Sequence, residues 1–389
     1  MSNPSENHSE LLLKIFYFLY YAAAASLLPF LVLFYEQLEL SGRQIGVLTA
    51  ILPLVTLFAA TFWGGLADAT QRHRRLLSLA ICGAMVMALV LSFASTFPVL
   101  VIMVTVFAFF IAPIIPLMDN STLTFLGEQK RRYGKLRLWG SVGWGVAAPV
   151  VGQLVEQLGL GWSFYGYVLF MLAGLIISVR LPISQVHIGQ SFWQGMRLLL
   201  GSWQWRYFLI IIFIAGIGSS LIHNYLFLYM AQLGANETLM GLALSVATLS
   251  ELVVFSSSGR LLDRWGIRNL LLLALVTLAV RLLAYAVVTN AWVVLLIQLL
   301  HGLSFSALWT AGVAYADKLA PPGLGATAQG LFTGVFFGIA AATGAFLGGI
   351  LYEKVGLSWM YGWAGLSILS GLLFVGRIPA DCGRSSHGG

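Results

Sequence analysis

Glu251, Arg281 and His301 stand in three successive apolar stretches, and Asp119 and Arg137 stand in two neighbouring ones nearer the N-terminus, in a chain with only 9% charged residues. An ionisable group placed in hydrocarbon costs at least about 2.5–3.5 kcal/mol on insertion scales, so these five demand a polar chamber enclosed by helices. Their chemistry is proton exchange and ion recognition. A carboxyl and an imidazole can pass a proton near neutral pH, and a guanidinium grips carboxylates or hydroxyls with a rigid fork of donors. Covalent catalysis is not indicated: no H-E-x-x-H helix and no nucleophile–base constellation stands out.

The elements that must position these groups follow from composition. With 59% hydrophobic residues over 389 positions, the chain has more apolar surface than a soluble domain can hide. A membrane-crossing helix needs about 20 largely apolar residues. Charges, prolines and glycine clusters divide the sequence into twelve such stretches, near 11–39, 44–68, 75–95, 97–126, 134–156, 161–181, 206–232, 239–263, 268–288, 291–315, 325–352 and 357–377. If both termini are cytoplasmic, the inner loops collect Arg72, Arg74, Arg75, Lys130, Arg131, Arg132 and Lys135 in the first half, and Arg260, Arg264, Arg268 and Lys318 in the second. The outer loops then hold only Arg43 and Lys354. The positive-inside rule requires that bias. The net charge of +7 is therefore topological, a contact with anionic lipid headgroups, and nucleic acid is not an expected partner.

The first apolar run is longer than a signal-peptide core, so the Ala22–Ala25 tract is read as part of a transmembrane helix and not as a cleavage site. Cys82 and Cys382 cannot make a disulfide framework or a metal site, and no metal or cofactor is expected. Glycines are frequent, but no P-loop Lys-Ser/Thr follows them, which argues against an ATP-driven pump.

A glycine-to-aspartate step ends the second stretch, Gly64-Gly65-Leu66-Ala67-Asp68, and a similar one ends the eighth, Gly259-Arg260-Leu261-Leu262-Asp263, about half the chain later. Both run into basic loops, one around Arg72 and the other containing Arg264, Gly266 and Arg268. Internal duplication of this kind builds many secondary transporters. The expected domains are an N-terminal six-helix bundle over 1–181, a cytoplasmic connector over 182–205 with an interfacial helix near Phe192–Arg197, and a C-terminal six-helix bundle with a short tail over 206–389.

The second step fits G-x-x-x-D-R-x-G-x-R, and on it the chain resembles the major facilitator superfamily; the first copy is partial, with Ala69 and Gln71 in place of Arg and Gly. The resemblance implies an all-α membrane protein of twelve transmembrane helices in two bundles. It also implies gating loops at Gly64, Asp68, Arg72, Gly259, Asp263, Arg264, Gly266 and Arg268, with the two aspartates pairing to basic helix ends when the cytoplasmic side is closed. The bland alternative is a solvated turn with helix-end charges.

The run from Tyr133 to Trp144, preceded by Pro116-Leu117-Met118-Asp119, is similar to the branch that holds phenylpropionate permeases and nucleoside:proton symporters, related to lactose permease. By that resemblance Asp119 and Arg137 match the pair that binds sugar, Arg281 and His301 match the coupling pair, and Glu251 matches an acidic residue of the eighth helix. One departure matters: Ser304 stands where the proton-releasing glutamate is expected. Either Glu251 and His301 carry the proton, or transport is weakly coupled.

Tyr20, His223, Asn224 and Trp309 complete the expected substrate wall, each with helix–helix packing as the competing explanation. The leading expectation is a monomeric symporter of the plasma (inner) membrane that moves a small organic solute, an aromatic carboxylate, nucleoside or sugar, together with protons by alternating access. An exporter of drugs or metabolites is the alternative within transport, and a membrane sensor without flux is the alternative outside it.

Overall fold

The computed structural model describes residues 4–181 and 192–375, and every regular element among them is helical. Ten helices are long and apolar enough to cross a membrane. They are α1 (Asn7–Gln37), α2 (Gly42–Ala67), α3 (His73–Leu91), α4 (Phe97–Gln129), α5 (Tyr133–Leu158), α6 (Gly161–Ser178), α7 (Trp203–Gln232), α8 (Glu237–Val287), α9 (Ala291–Leu319) and α10 (Gly325–Leu372). A shorter helix, Phe192–Gly201, leads into α7 at the place the sequence assigns to an interfacial segment. The remainder of the expected connector, 182–191, and the tail from 376 onward lie outside the described residues.

Local chemistry explains where these helices stop and bend. Ser41 caps α2 by accepting from the Gln44 N–H while the Gln44 side chain accepts from the Ser41 N–H, and Asn236 accepts from the Leu239 N–H at the start of α8. Pro29 sits in a tight 3-10 turn, Leu28–Phe30, that interrupts α1, because its ring removes a backbone donor and crowds the preceding turn. Within α8 and α10 one residue leaves helical geometry in each case: Gly266 at φ +72, ψ 167 and Gly356 at φ +81, ψ 168. Only glycine reaches that backbone region without strain.

Two stretches expected as plain helix carry wide π turns instead, Gly302–Ser306 in α9 and Gly334–Ala340 in α10. Both begin at glycine, whose lack of a side chain lets a neighbouring helix approach the widened backbone. At Gly302 a Cβ would lie 2.2 Å from the Ser250 carbonyl oxygen, and at Gly338 it would meet Leu57 of α2 at 3.1 Å.

Small residues also set the contacts between the segment before 182 and the segment after 191. Between the two segments, a Cβ on Gly241 of α8 would lie 2.4 Å from the Ala148 carbonyl of α5, where Ala147 and Ala148 also pack on Ala22 and Ala25 of α1 within the first segment. Farther along, Gly349 of α10 lies against Gly42 and Gly46 of α2, and Gly152 of α5 lies against Glu237 of α8. Such faces allow backbones to touch where lipid supplies no hydrophobic drive for helix association.

One group of polar links between the two segments lies at the end opposite the termini. The Arg43 N–H donates to Glu353 Oε2 at 2.8 Å, Tyr352 OH donates to Glu36 at 2.9 Å, and Glu156 accepts from Asn236 Nδ2 at 3.0 Å and Thr238 Oγ1 at 2.5 Å. At the end that carries the termini, Gly64, Gly65 and Gly259 have open space where a side chain would project. The two segments are thus joined at the end opposite the termini.

Gly349→Val tests that seal. Its Cβ would come 2.2 Å from the Gly42 carbonyl oxygen, so the backbones must separate, an overpacking cost of about 1–3 kcal/mol. Spin labels at positions 40 and 355 should report a longer distance in the variant than in the wild type, and an unchanged distance would count against the seal.

Candidate functional site

The first cluster is built on α4 and α5. Asp119 lies in Ile114–Leu126, the second part of α4, and Arg137 lies one turn into α5. Arg137 Nε stands 3.7 Å from Asp119 Oδ1, longer than a direct hydrogen bond, and both side chains are about one-third exposed, at 33% and 27%. The same carboxylate oxygen accepts from the buried Tyr17 OH at 2.7 Å, and Tyr17 is also 3.1 Å from Thr122 Oγ1. Arg137 rests over aromatic faces, its guanidinium carbon 4.5 Å from the Tyr21 ring centre and 5.7 Å from that of Tyr17. Tyr20 packs edge-on against Tyr21 at 5.2 Å. The guanidinium thus keeps donors for a ligand while Tyr17 fixes the carboxylate.

The second cluster is built on α8 and α9, which touch where Gly302 meets Ser250. The Ser250 hydroxyl donates to the Leu299 carbonyl and accepts from the Gly302 N–H at 3.0 Å, satisfying backbone groups freed by the π turn. Glu251 and His301 are the immediate chain neighbours of those two residues. His301 Nε2 consequently stands 3.7 Å from Glu251 Oε2.

Arg281 lies deeper, only 2% exposed, and donates to Gln298 Oε1 at 2.6 Å and Ser304 Oγ at 2.7 Å, with His301 Nδ1 at 3.2 Å. Tyr285 OH donates to the same Gln298 oxygen at 3.1 Å. Among the described residues Glu251 and Arg281 form no direct ion pair in this conformation. His301 stands between them, stacked on Phe305 at 5.5 Å.

The two clusters meet across the interior. Ser141 Oγ, one turn beyond Arg137 on α5, donates to Glu251 Oε1 at 3.4 Å. Trp144, a further turn along, stacks on His223 of α7 with ring centres 6.0 Å apart.

The other sequence candidates divide. Asn224 is engaged within α7, its amide donating to the Ser220 carbonyl at 2.9 Å and to Ser220 Oγ at 3.0 Å, while Ser220 Oγ ties α7 to the Ala341 carbonyl. That makes it part of a helix–helix joint and not a free donor. Trp309 is half-buried in a cluster with Phe332 at 5.0 Å and Phe337 at 5.3 Å.

Of the gating loops, Arg72 precedes the first turn of α3, and Gly266 is the broken position inside α8 that separates Asp263 and Arg264 from Arg268. Gly64 and Gly259 face open space, and the Asp68 side chain lies outside what the structure describes. Four site residues went unassigned in the sequence reading: Tyr17, Ser141, Trp144 and Gln298. Each had a signal in its spacing. Tyr17 precedes Tyr20 and Tyr21 by three and four positions, Ser141 and Trp144 follow Arg137 by four and seven, and Gln298 precedes His301 by three, all on shared helix faces.

Comparison with known proteins agrees with this architecture. The profile of the MFS_1 like family matches residues 11–363. The maltose permease of Geobacillus stearothermophilus is 32% identical over 362 residues, covering 92% of each chain. The probable 3-phenylpropionic acid transporter of Escherichia coli (strain K12) is 24% identical over 353 residues, covering 88% of this chain and 91% of the other. The crystal structure of the nucleoside transporter NupG superimposes with a TM-score of 0.83 at 18% identity, covering 96% of this chain and 99% of that one. Long apolar helices, a charged interior and these relatives together make the chain a multi-pass membrane transporter of the major facilitator superfamily, in the MFS_1 like family.

Proposed function

We propose that the protein is a proton-coupled symporter of a small saccharide, working by alternating access. The observation that carries this reading is the meeting of two unlike clusters in one interior. Asp119 and Arg137 with their tyrosines present a carboxylate, a guanidinium and aromatic faces, the combination that grips hydroxyls and stacks on a sugar ring. Glu251 and His301 offer titratable groups linked to the first cluster through Ser141. The maltose permease supports a saccharide over the aromatic acid or nucleoside that the other relatives carry in their names.

The topology of this reading has twelve crossings. Helices α8 and α10, of 51 and 48 residues, are far longer than the ~20 residues of one crossing, and each is divided by its non-helical glycine. Counting each as two turns ten spans into twelve, six before the connector and six after it. Arginine and lysine bias supports cytoplasmic termini in this reading, with a plasma (inner) membrane as the setting. The sealed end is then the outer one, and the conformation is inward-facing.

In the cycle, solute enters from outside and binds between Arg137, Asp119 and the Trp144–His223 stack. Protonation of the acidic member of the second cluster removes a buried charge, which lowers the cost of closing the halves over the loaded site. The halves then rock to the conformation described here. Asp263 and the basic helix ends pair when the inner side closes. One chain contains all of these groups, so a monomer suffices.

Proteoliposomes with an imposed pH gradient test the solute and the coupling together. Uptake of a maltose-type saccharide is expected, and gradient-driven uptake of only aromatic acids or only nucleosides would replace that assignment. Arg137→Ala should weaken saccharide binding by about 2–5 kcal/mol, a rise in Kd of at least ~30-fold. Glu251→Gln should keep counterflow exchange while abolishing accumulation uphill. Full gradient-driven uptake by either variant would refute its assigned role.

A further inference from the structure

Arg281 sets the protonation geometry of His301. A guanidinium has donors only and stays charged, so any ring nitrogen in hydrogen-bond contact with it must offer a lone pair. Arg281 Nη1 lies 3.2 Å from His301 Nδ1, which makes Nδ1 the acceptor and leaves the ring proton on Nε2, the nitrogen that faces Glu251 Oε2. The contact is fixed from behind. Gln298 and Ser304 accept from Arg281 at 2.6 and 2.7 Å, Tyr285 braces Gln298, and the guanidinium is nearly sealed from solvent.

We propose that Arg281, held by Gln298 and Ser304, locks His301 as the neutral Nε2–H tautomer, so that Glu251 is the proton carrier of the second cluster and His301 turns an oriented N–H toward it. This deepens the symport reading and takes its transport consequence from it. For His301 to become an imidazolium, a proton would have to occupy Nδ1 where Arg281 now donates, setting two cations in contact in a poorly solvated interior.

The groups facing His301 are Glu251 and Arg281 from α8, His223 from α7 and Ser304 on its own helix; among these Glu251 is the acid. Among the described residues the oxygens of Glu251 have the long contacts to Ser141 and His301, which leave room on the carboxylate for a proton. The proton arrives from hydronium on the outer side, forms the neutral carboxyl, and leaves to water on the inner side, with no redox partner. The neutral partners of Arg281 explain how the site works with Ser304 where a glutamate was expected, since its hydroxyl helps hold the cation that sets the tautomer.

The protein reconstituted in nanodiscs with nitrogen-15 histidine provides the test, with the His301 signals assigned by their loss in His301→Gln. The expected result is an unprotonated Nδ1 and a protonated Nε2 that persist down to about pH 5.5, where an ordinary imidazole of pKa ~6.5 is mostly charged. An imidazolium signal from His301 in that range, or a proton on Nδ1, would overturn the proposal. Gln298→Ala should release the lock and let His301 take up a proton within this pH range; if that variant does not fold, Ser304→Ala serves. Continued absence of titration in both folded variants would also overturn it.

In proteoliposomes His301→Gln should slow uptake yet keep the number of protons moved per solute. Loss of that ratio with exchange retained would assign the proton to His301 instead. A wild type that accumulates no solute under a pH gradient would refute the symport reading alone, since the nuclear resonance readout does not depend on transport.

Discussion

A charge in hydrocarbon has no solvent to share its field, and the architecture of this chain is arranged around that cost. The interior ionisable groups are met mostly by side chains that satisfy them without cancelling them: tyrosine rings beneath Arg137, a tyrosine hydroxyl on Asp119, an amide and a hydroxyl around Arg281. Complete neutralisation by tight ion pairs would make a stable bundle with nothing left to bind. The two carboxylate contacts instead sit at 3.7 Å, close enough to moderate the charge and loose enough to be exchanged for a ligand.

The same cost places the clusters where the halves of the chain face each other. Ser141 and Trp144 extend the Arg137 face of α5 toward Glu251 of α8 and His223 of α7, so the two clusters adjoin through a 3.4 Å polar contact and a stacked ring pair. Smooth glycine and alanine surfaces surround this center at the joined end. Backbone contacts of that type resist compression but carry few directional bonds.

Much of this was legible in the sequence because it rests on residue type and period. The apolar stretches emerge from hydropathy alone, and the breaks anticipated around 264–267 and 353–356 coincide with Gly266 and Gly356. The five interior charges announce themselves by their medium, and their grouping follows from adjacent helices. What stayed hidden depends on geometry that spacing does not encode. Ser304 reads as a missing acid, yet it is a ligand of Arg281; Gln298 reads as one more polar residue in an apolar run, yet it anchors the same cation. Asn224 reads as a polar wall and is consumed within its own helix. The π turns were invisible because glycine followed by apolar residues is also compatible with ordinary helix.

The π turn after His301 has a mechanical consequence. It accommodates one more residue than an α turn would, and Ser250 supplies the hydrogen bonds that the surplus peptide would otherwise lack. Withdrawing that hydroxyl returns the surplus to the helix, and because each residue advances an α-helix by about 100° of rotation, everything downstream would swivel by roughly a quarter turn. Trp309 would then sweep from its phenylalanine nest toward another side of the axis. The surplus residue of Gly302–Ser306 is thus held in place by a single serine hydroxyl.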